Sequence, residues 1–98
     1  MKGAKWYNKM FQDPSFVKEV QDRWNELYPQ IKAVPSFVES QIELLDGAQD
    51  RNFERWDILD KYVWPNAVWL GSYEAEVEFL LDYYNRRVEW LNKQLNAL

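Results

Sequence analysis

The sequence contains no cysteine and no histidine, and it has only three glycines among its 98 residues. Without cysteine, the chain forms neither disulfide bonds nor thiolate metal sites. Without histidine, it lacks the commonest general base and the commonest neutral metal ligand. Gly3, Gly47 and Gly71 lie too far apart to form a glycine-rich phosphate loop. The composition therefore predicts a chain without a metal site, a cofactor or catalytic residues.

The side chains that remain for catalysis are serines and carboxylates, and both have simpler explanations. Ser15, Ser36 and Ser72 stand where helices are predicted to begin, and a hydroxyl at that position caps the helix. Asp57 and Asp60 are spaced by one helical turn, a spacing that is common in acidic segments without any catalytic role. We therefore predict that this chain is not an enzyme by itself.

The net charge is −4 at pH 7, and it is unevenly distributed. Residues 1–34 carry a charge of +2, and residues 35–98 carry a charge of −6. An acidic chain without a basic stripe is repelled by phosphate groups, so we expect no nucleic-acid partner. Its apolar runs are far shorter than the roughly 18–20 residues that span a bilayer. The first residues lack the apolar segment of a signal peptide. We expect a soluble chain with no membrane span.

Apolar residues recur at helical spacing in three long segments. The first segment is residues 14–28, where Asp13 is a suitable N-cap and Pro14 a suitable first helical residue. We expect this helix to end before Pro29, since a proline restricts the residue that precedes it. Its apolar face comprises Phe16, Val20, Trp24 and Leu27.

The second segment is residues 36–56, in which Ser36 and Glu39 have the spacing of a capping box. The third is residues 72–97, with Ser72 as the cap. Residues 4–12 form a short helix before the first long one. The predicted stripe of the second segment is Val38, Ile42, Leu45, Gln49, Asn52 and Trp56; that of the third is Val77, Leu80, Leu81, Tyr84, Val88, Leu91 and Leu95, with Phe79, Tyr83 and Trp90 beside it.

These lengths predict an architecture. The two later helices are on the order of 30–40 Å long at 1.5 Å per residue, and the first reaches a similar length when residues 4–12 are included. Three helical arms of comparable length, the first broken at Asp13-Pro14, are typical of a helical bundle. We therefore predict an all-α fold in which residues 1–98 form a single domain. It is an antiparallel three-helix bundle with a short extra N-terminal helix and a long aromatic-rich loop packed on the bundle.

The connection over residues 57–71 is unusually long for a compact domain. It is rich in aromatic and aliphatic residues, so it is not a disordered linker. Trp64-Pro65 is expected to be extended and Pro65-Asn66 to form a turn. We predict that the loop wraps back over the bundle and buries Tyr62, Trp64 and Trp69. The alternative is that these rings form an exposed aromatic platform for sugars or for a partner protein.

Asn52 lies on the predicted apolar stripe, close to Trp56. A buried amide needs hydrogen-bond partners, and the irregular loop next to it has backbone groups that need them too. We therefore predict that Asn52 pins the backbone of the loop. Arg51 and Arg55 flank the stripe. Arg55 is placed to stack on an aromatic ring or to pair with Asp57; the alternative is that these residues only form an exposed face.

Three runs of the sequence resemble one known family. They are "WYNKMFQDPSFVKEVQDRWNELYP", "RNFERW" and "GSYEAEVEFLLDYYNRRVEWL", in that order. Together they are similar to the C-terminal region of the CotH family, which comprises bacterial spore-coat-H-like proteins with an atypical protein-kinase domain. No single run is specific, but the ordered set covers nearly the whole chain.

This resemblance implies a C-terminal fragment of a larger bacterial protein at the cell surface, in the spore coat or secreted. The family's catalytic residues have no matching position here, so the implied role is a non-catalytic helical subdomain that supports the kinase-like core or docks protein partners. Such a fragment is expected to have an exposed apolar face, through which two copies of the chain would also be able to pair. The alternative function is an independent carbohydrate- or peptide-binding module that uses residues 62–69.

Overall fold

The computed structural model describes residues 5–64 and 66–98. Over these ranges the chain contains helices and no strand, which confirms the predicted all-α fold. The helices are α1 (Lys5–Met10), α2 (Pro14–Lys32), α3 (Val34–Arg55) and α4 (Tyr73–Asn96). None of the described helices has a stretch long and apolar enough to cross a membrane. The predicted start of the short first helix, Ala4, and the predicted turn residue Pro65 lie outside the described residues.

The first long helix begins where the sequence predicts. The Asp13 side chain accepts a hydrogen bond from the amide of Ser15 at 2.9 Å, and Pro14 occupies the first turn. An N-cap of this kind contributes about 1 kcal/mol to helix stability. The helix continues past Pro29 to Lys32, so the predicted end at residue 28 is wrong.

Contacts with α4 explain why the helix survives Pro29. A proline removes one backbone donor, which leaves the carbonyl of the residue four positions earlier without its usual partner. That residue, Asn25, is exposed, so its carbonyl is not left unpaired in an apolar interior. Beyond the proline, Lys32 forms an ion pair with Glu89 at 3.7 Å, and Tyr28 donates to the same carboxylate at 2.7 Å. These contacts hold the last turn in helical geometry.

The second long helix begins at Val34, two residues earlier than predicted. Pro35 is tolerated because the first turn of a helix has no use for its amide hydrogen. The predicted capping box of Ser36 and Glu39 is not formed in the described part of the chain. Since the helix already runs through both positions, neither residue stands at its end.

The chain divides into two compact units. One comprises Met1–Ala33 with Arg87–Leu98, and the other comprises Val34–Arg86. In the first unit, α2 runs antiparallel to the end of α4. Its successive polar side chains meet successively earlier residues of α4: Gln21 donates to the Leu95 carbonyl at 3.0 Å, Trp24 Nε1 to Asn92 Oδ1 at 2.8 Å and Tyr28 to Glu89 at 2.7 Å.

The predicted apolar face of α2 is confirmed in this first unit. Its four residues are half-buried, and Val88 of α4 is the one described side chain that is nearly fully buried, with 6% exposed. The unit therefore has a small apolar centre that cross-helix hydrogen bonds surround.

In the second unit, α3 lies antiparallel to the beginning of α4. The ring of Phe53, near the end of α3, lies 6.1 Å from that of Tyr73, which opens α4. Further along, Ile42 and Val77 border one small cavity of about 220 Å³. These side chains are only half-buried, and no described side chain of this unit is fully buried. The predicted stripe of α3 fails toward its end, where Leu45 is 48% and Trp56 is 55% exposed.

The contact between Tyr28 and Glu89 has a pH consequence. The hydrogen bond to the carboxylate is the main cause that raises the pKa of Tyr28 above its ordinary value of 10.0, with smaller contributions from desolvation and from the charge of Glu89. Lys32 opposes this increase. Because the folded state holds the proton more tightly than the unfolded chain, the contribution to stability is complete below pH 10 and is lost as the pH rises through the raised pKa.

We expect the Glu89→Gln substitution to return the pKa of Tyr28 toward its ordinary value, since the carboxylate that favours the protonated phenol is removed. The measurement is an NMR titration of the Tyr28 ring at alkaline pH. Glu19→Gln, which removes an exposed and distant carboxylate of α2, is the control and leaves the titration unchanged. An identical Tyr28 titration in wild type and Glu89→Gln would contradict the assignment.

Candidate interaction surface

The segment between α3 and α4, residues 56–72, is held at the point where it enters α4. The Ser72 hydroxyl accepts a hydrogen bond from the Ala75 amide at 3.1 Å, which confirms Ser72 as the helix cap. Glu76 reaches back from the first turn, and its Oε1 accepts a hydrogen bond from the amide of Leu70 at 2.9 Å. The next amide, of Gly71, donates to the carbonyl of Leu59 at 3.0 Å. Two consecutive amides are thus fixed, one to α4 and one to the start of the loop.

Gly71 has a backbone conformation that this arrangement requires. Its φ is +88°, a region that residues with a Cβ rarely adopt. There is open space around the position where a Cβ would stand, so the constraint comes from the backbone and not from a neighbour. The glycine lets the chain reverse direction immediately before the cap of α4.

The loop, the end of α3 and the first half of α4 enclose a groove, which we call the loop groove. Its volume is about 420 Å³. Its apolar wall is built from Phe53 of α3, Ile58 and Trp69 of the loop, and Phe79, Leu80 and Tyr83 of α4. Lys61, Asn66 and Glu76 are among the polar residues that line it. The carboxylate of Glu76 is already engaged by Leu70, so the groove offers mainly an apolar surface.

The loop follows the predicted path over the helices, but it does not bury its aromatic rings. Trp64 is 80% exposed, Tyr62 56% and Trp69 48%. The rings of Tyr62 and Trp69 pack edge to face against each other, with 5.4 Å between their centres. The prediction of inward-facing rings is therefore wrong. Within the unit Val34–Arg86, the described elements beside the loop are α3 and α4, and they cover these rings only in part.

The structure also corrects the prediction for Asn52. Its side chain is exposed, and it forms no hydrogen bond with any described residue of the loop. Instead, the loop backbone is held by Glu76. The sequence places this residue in the first turn of the third predicted helix, but it does not predict the hydrogen bond to the loop. An acidic residue four positions after a helix cap is the signal that would have pointed to it.

The two arginines beside Asn52 remain on the surface. Arg55 lies over the ring of Trp56, with its guanidinium carbon 5.2 Å from the ring centre. Of the predicted contacts of Arg55, the structure therefore contains the stacking on an aromatic ring. Asp57, the other predicted partner, pairs with Lys61 at 3.4 Å. Arg51 is exposed on α3. Ile58, Phe79, Leu80 and Tyr83 were not predicted as surface residues. Ile58 belongs to a loop that was expected to pack inward, and the three residues of α4 have the spacing of a core face.

Metal ligands do not cluster in this part of the molecule. Within residues 5–64 and 66–98, no group of three or more carboxylates is arranged to hold a metal ion. What the geometry offers is an apolar groove beside exposed aromatic rings. Such a surface is suited to contact with another molecule.

Comparison with known families decides the relationship. The model of the CotH kinase protein family matches residues 1–91 of the chain. This chain belongs to the CotH kinase family. The resemblance of the three sequence runs to CotH proteins is thereby confirmed. No curated protein and no solved structure gives a significant match to this CotH chain.

We expect the Glu76→Ala substitution to release the loop from α4 and to lower the free energy of unfolding by about 1 kcal/mol, the usual value for a partly exposed hydrogen bond. Chemical denaturation measures the loss, and hydrogen exchange should show faster exchange of the Leu70 amide.

Glu78→Ala is the matched control, because Glu78 lies on the same helix without a partner among the described residues. We expect it to change stability by only a few tenths of a kcal/mol. Equal effects of the two substitutions, with an unchanged Leu70 amide, would show that Glu76 does not anchor the loop.

Proposed function

We propose that this chain is a non-catalytic helical C-terminal subdomain of a CotH protein and that it docks on the kinase-like core of that protein. The observation that carries the proposal is the amount of apolar surface left uncovered. Eighteen large apolar side chains are exposed among the described residues, whereas only Val88 is buried. Most folded chains of this size place such residues in a core.

The residue types favour a supporting role over a catalytic one. A chain without histidine or cysteine has few groups that transfer protons near neutral pH. In kinases, carboxylates, an asparagine and a lysine hold metal ions and phosphates in one cleft. Among the described acidic residues, five form ion pairs with lysine or arginine, namely Asp22, Glu26, Asp57, Asp82 and Glu89. No three of those described cluster so as to hold a metal ion. We propose a location at the bacterial cell surface or spore coat on the basis of family membership alone.

The test is to mix the chain with the kinase-like domain of a CotH protein, produced as a separate polypeptide. We expect the two to co-elute as a one-to-one complex on size exclusion, because the apolar surfaces cover each other. Phosphoryl transfer is measured for each component alone, and we expect it only from the kinase-like domain. Transfer by this chain alone, or separate elution of the two polypeptides at high concentration, would overturn the proposal.

A second candidate function is a carbohydrate- or peptide-binding module, and one observation favours it. Trp64 is 80% exposed and stands a few residues from the edge-to-face pair of Tyr62 and Trp69. Exposed aromatic rings of this kind stack on the apolar faces of sugars, and tyrosine and tryptophan are enriched where proteins bind other molecules.

A glycan panel separates the two functions. If the second function holds, tryptophan fluorescence shifts on addition of a glycan, and the shift is lost in Trp64→Ala and in Trp69→Ala. Trp90→Ala is the matched control, since Trp90 is 49% exposed but lies outside the loop. Our leading proposal predicts no shift with any glycan. A saturable shift that depends on Trp64 and Trp69 would favour the binding module instead.

A further inference from the structure

The loop groove is large enough to receive apolar side chains of another polypeptide. Its volume of about 420 Å³ falls within the roughly 300–1,000 Å³ of typical binding pockets. Leu80 is 53% and Tyr83 is 53% exposed along its α4 wall, and Ile58 is 42% exposed on its loop wall. An incoming aliphatic or aromatic side chain would therefore cover surface that water now contacts, which is favourable by about 25 cal/mol per Å².

The surroundings of the groove are strongly acidic. Residues 53–83, which build it, contain seven aspartates and glutamates against two basic residues, so their net charge is −5. Both basic residues are already engaged: Lys61 pairs with Asp57, and Arg55 lies over Trp56. Asp60 forms no ion pair with a described residue and is flanked by two groove-lining positions, Leu59 and Lys61. The groove therefore lies in a negative potential.

This charge selects among occupants. An anionic membrane or a nucleic acid is repelled by the acidic rim. Pairing of the same face between two copies is also unfavourable, because the unit Val34–Arg86 has eleven acidic and four basic residues and a net charge of −7. A cationic amphipathic polypeptide is favoured by two interactions. Its lysines and arginines are attracted to the carboxylates, and its apolar side chains are buried in the groove.

We propose that the loop groove binds an amphipathic, positively charged segment of the partner, with one or two large apolar side chains inserted between the loop and α4. This inference rests on the proposed function and names the chemistry of the partner segment. Amphipathic helices laid into apolar grooves are an established mode of recognition, in which residues one helical turn apart serve as anchors.

The test uses three fluorescently labelled synthetic peptides and measures anisotropy with the whole chain. The first has leucine and lysine arranged with helical period. The second replaces every lysine with glutamate, and the third replaces every leucine with serine. We expect saturable binding of the first peptide only, weakening about tenfold between low and high salt as the charges are screened.

Substitutions locate the binding. Asp60→Lys should weaken the leucine–lysine peptide about tenfold, whereas Glu43→Lys, which changes the net charge equally but lies on α3 away from the groove, should weaken it less than about twofold. Leu80→Ala should likewise weaken binding about tenfold, and Leu44→Ala, at a position that is 74% exposed on α3, should not. All four positions are exposed, and circular dichroism checks that each variant remains helical.

Several outcomes would overturn the inference. Equal binding of the lysine and glutamate peptides would show that charge does not select the partner. Equal effects of Leu80→Ala and Leu44→Ala would show that the peptide does not bind in the loop groove. Self-association of the chain that competes with the peptide would assign the groove to a second copy. If the kinase-like domain binds the chain but Asp60→Lys and Leu80→Ala leave that complex intact, the groove inference fails while the proposed function stands.

Discussion

Two consecutive backbone amides, those of Leu70 and Gly71, fix the position of the loop in the unit Val34–Arg86. We call this unit, whose net charge is −7, the acidic unit. The first amide is bound by the carboxylate of Glu76 on α4, and the second by the carbonyl of Leu59 at the start of the loop. None of the described loop side chains is fully buried, so these hydrogen bonds are the main contacts that fix the position of its backbone. The walls of the groove and the position of Trp69 depend on them in turn.

The apolar pattern predicted helices and their inner faces well, but it did not predict which faces are covered. Phe16 and Trp24 on α2 and Val88 on α4 are half-buried or buried as expected, because a partner helix lies against each face. Leu45 on α3 and Trp56, which directly follows α3, have the same spacing and are exposed. Spacing defines the apolar side of a helix; only the rest of the fold decides whether anything packs there. The exposed loop rings are explained in the same way.

The two compact units differ in what stabilises them. The unit that contains α2 has Val88 at its centre and a row of hydrogen bonds from α2 side chains to α4. In contrast, the unit that contains α3 has half-buried side chains and a large excess of negative charge. A ligand that binds only the folded state stabilises it in proportion to the logarithm of its concentration. The acidic unit is therefore the part of this CotH chain that gains most from a bound neighbour.

Pro29 makes the last turn of α2 less stable than the turns that precede it. Pro29 has no amide hydrogen, so one hydrogen bond of the helix is missing there. The last turn is stabilised instead by contacts of Tyr28, just before the proline, and Lys32, after it, with the carboxylate of Glu89. Native proteins open in cooperative pieces whose free energies differ. The final turn of α2 is such a piece: it can fray and re-form while the preceding turns, anchored through Gln21 and Trp24, stay wound. Opening of this turn therefore costs less free energy than unwinding the whole helix.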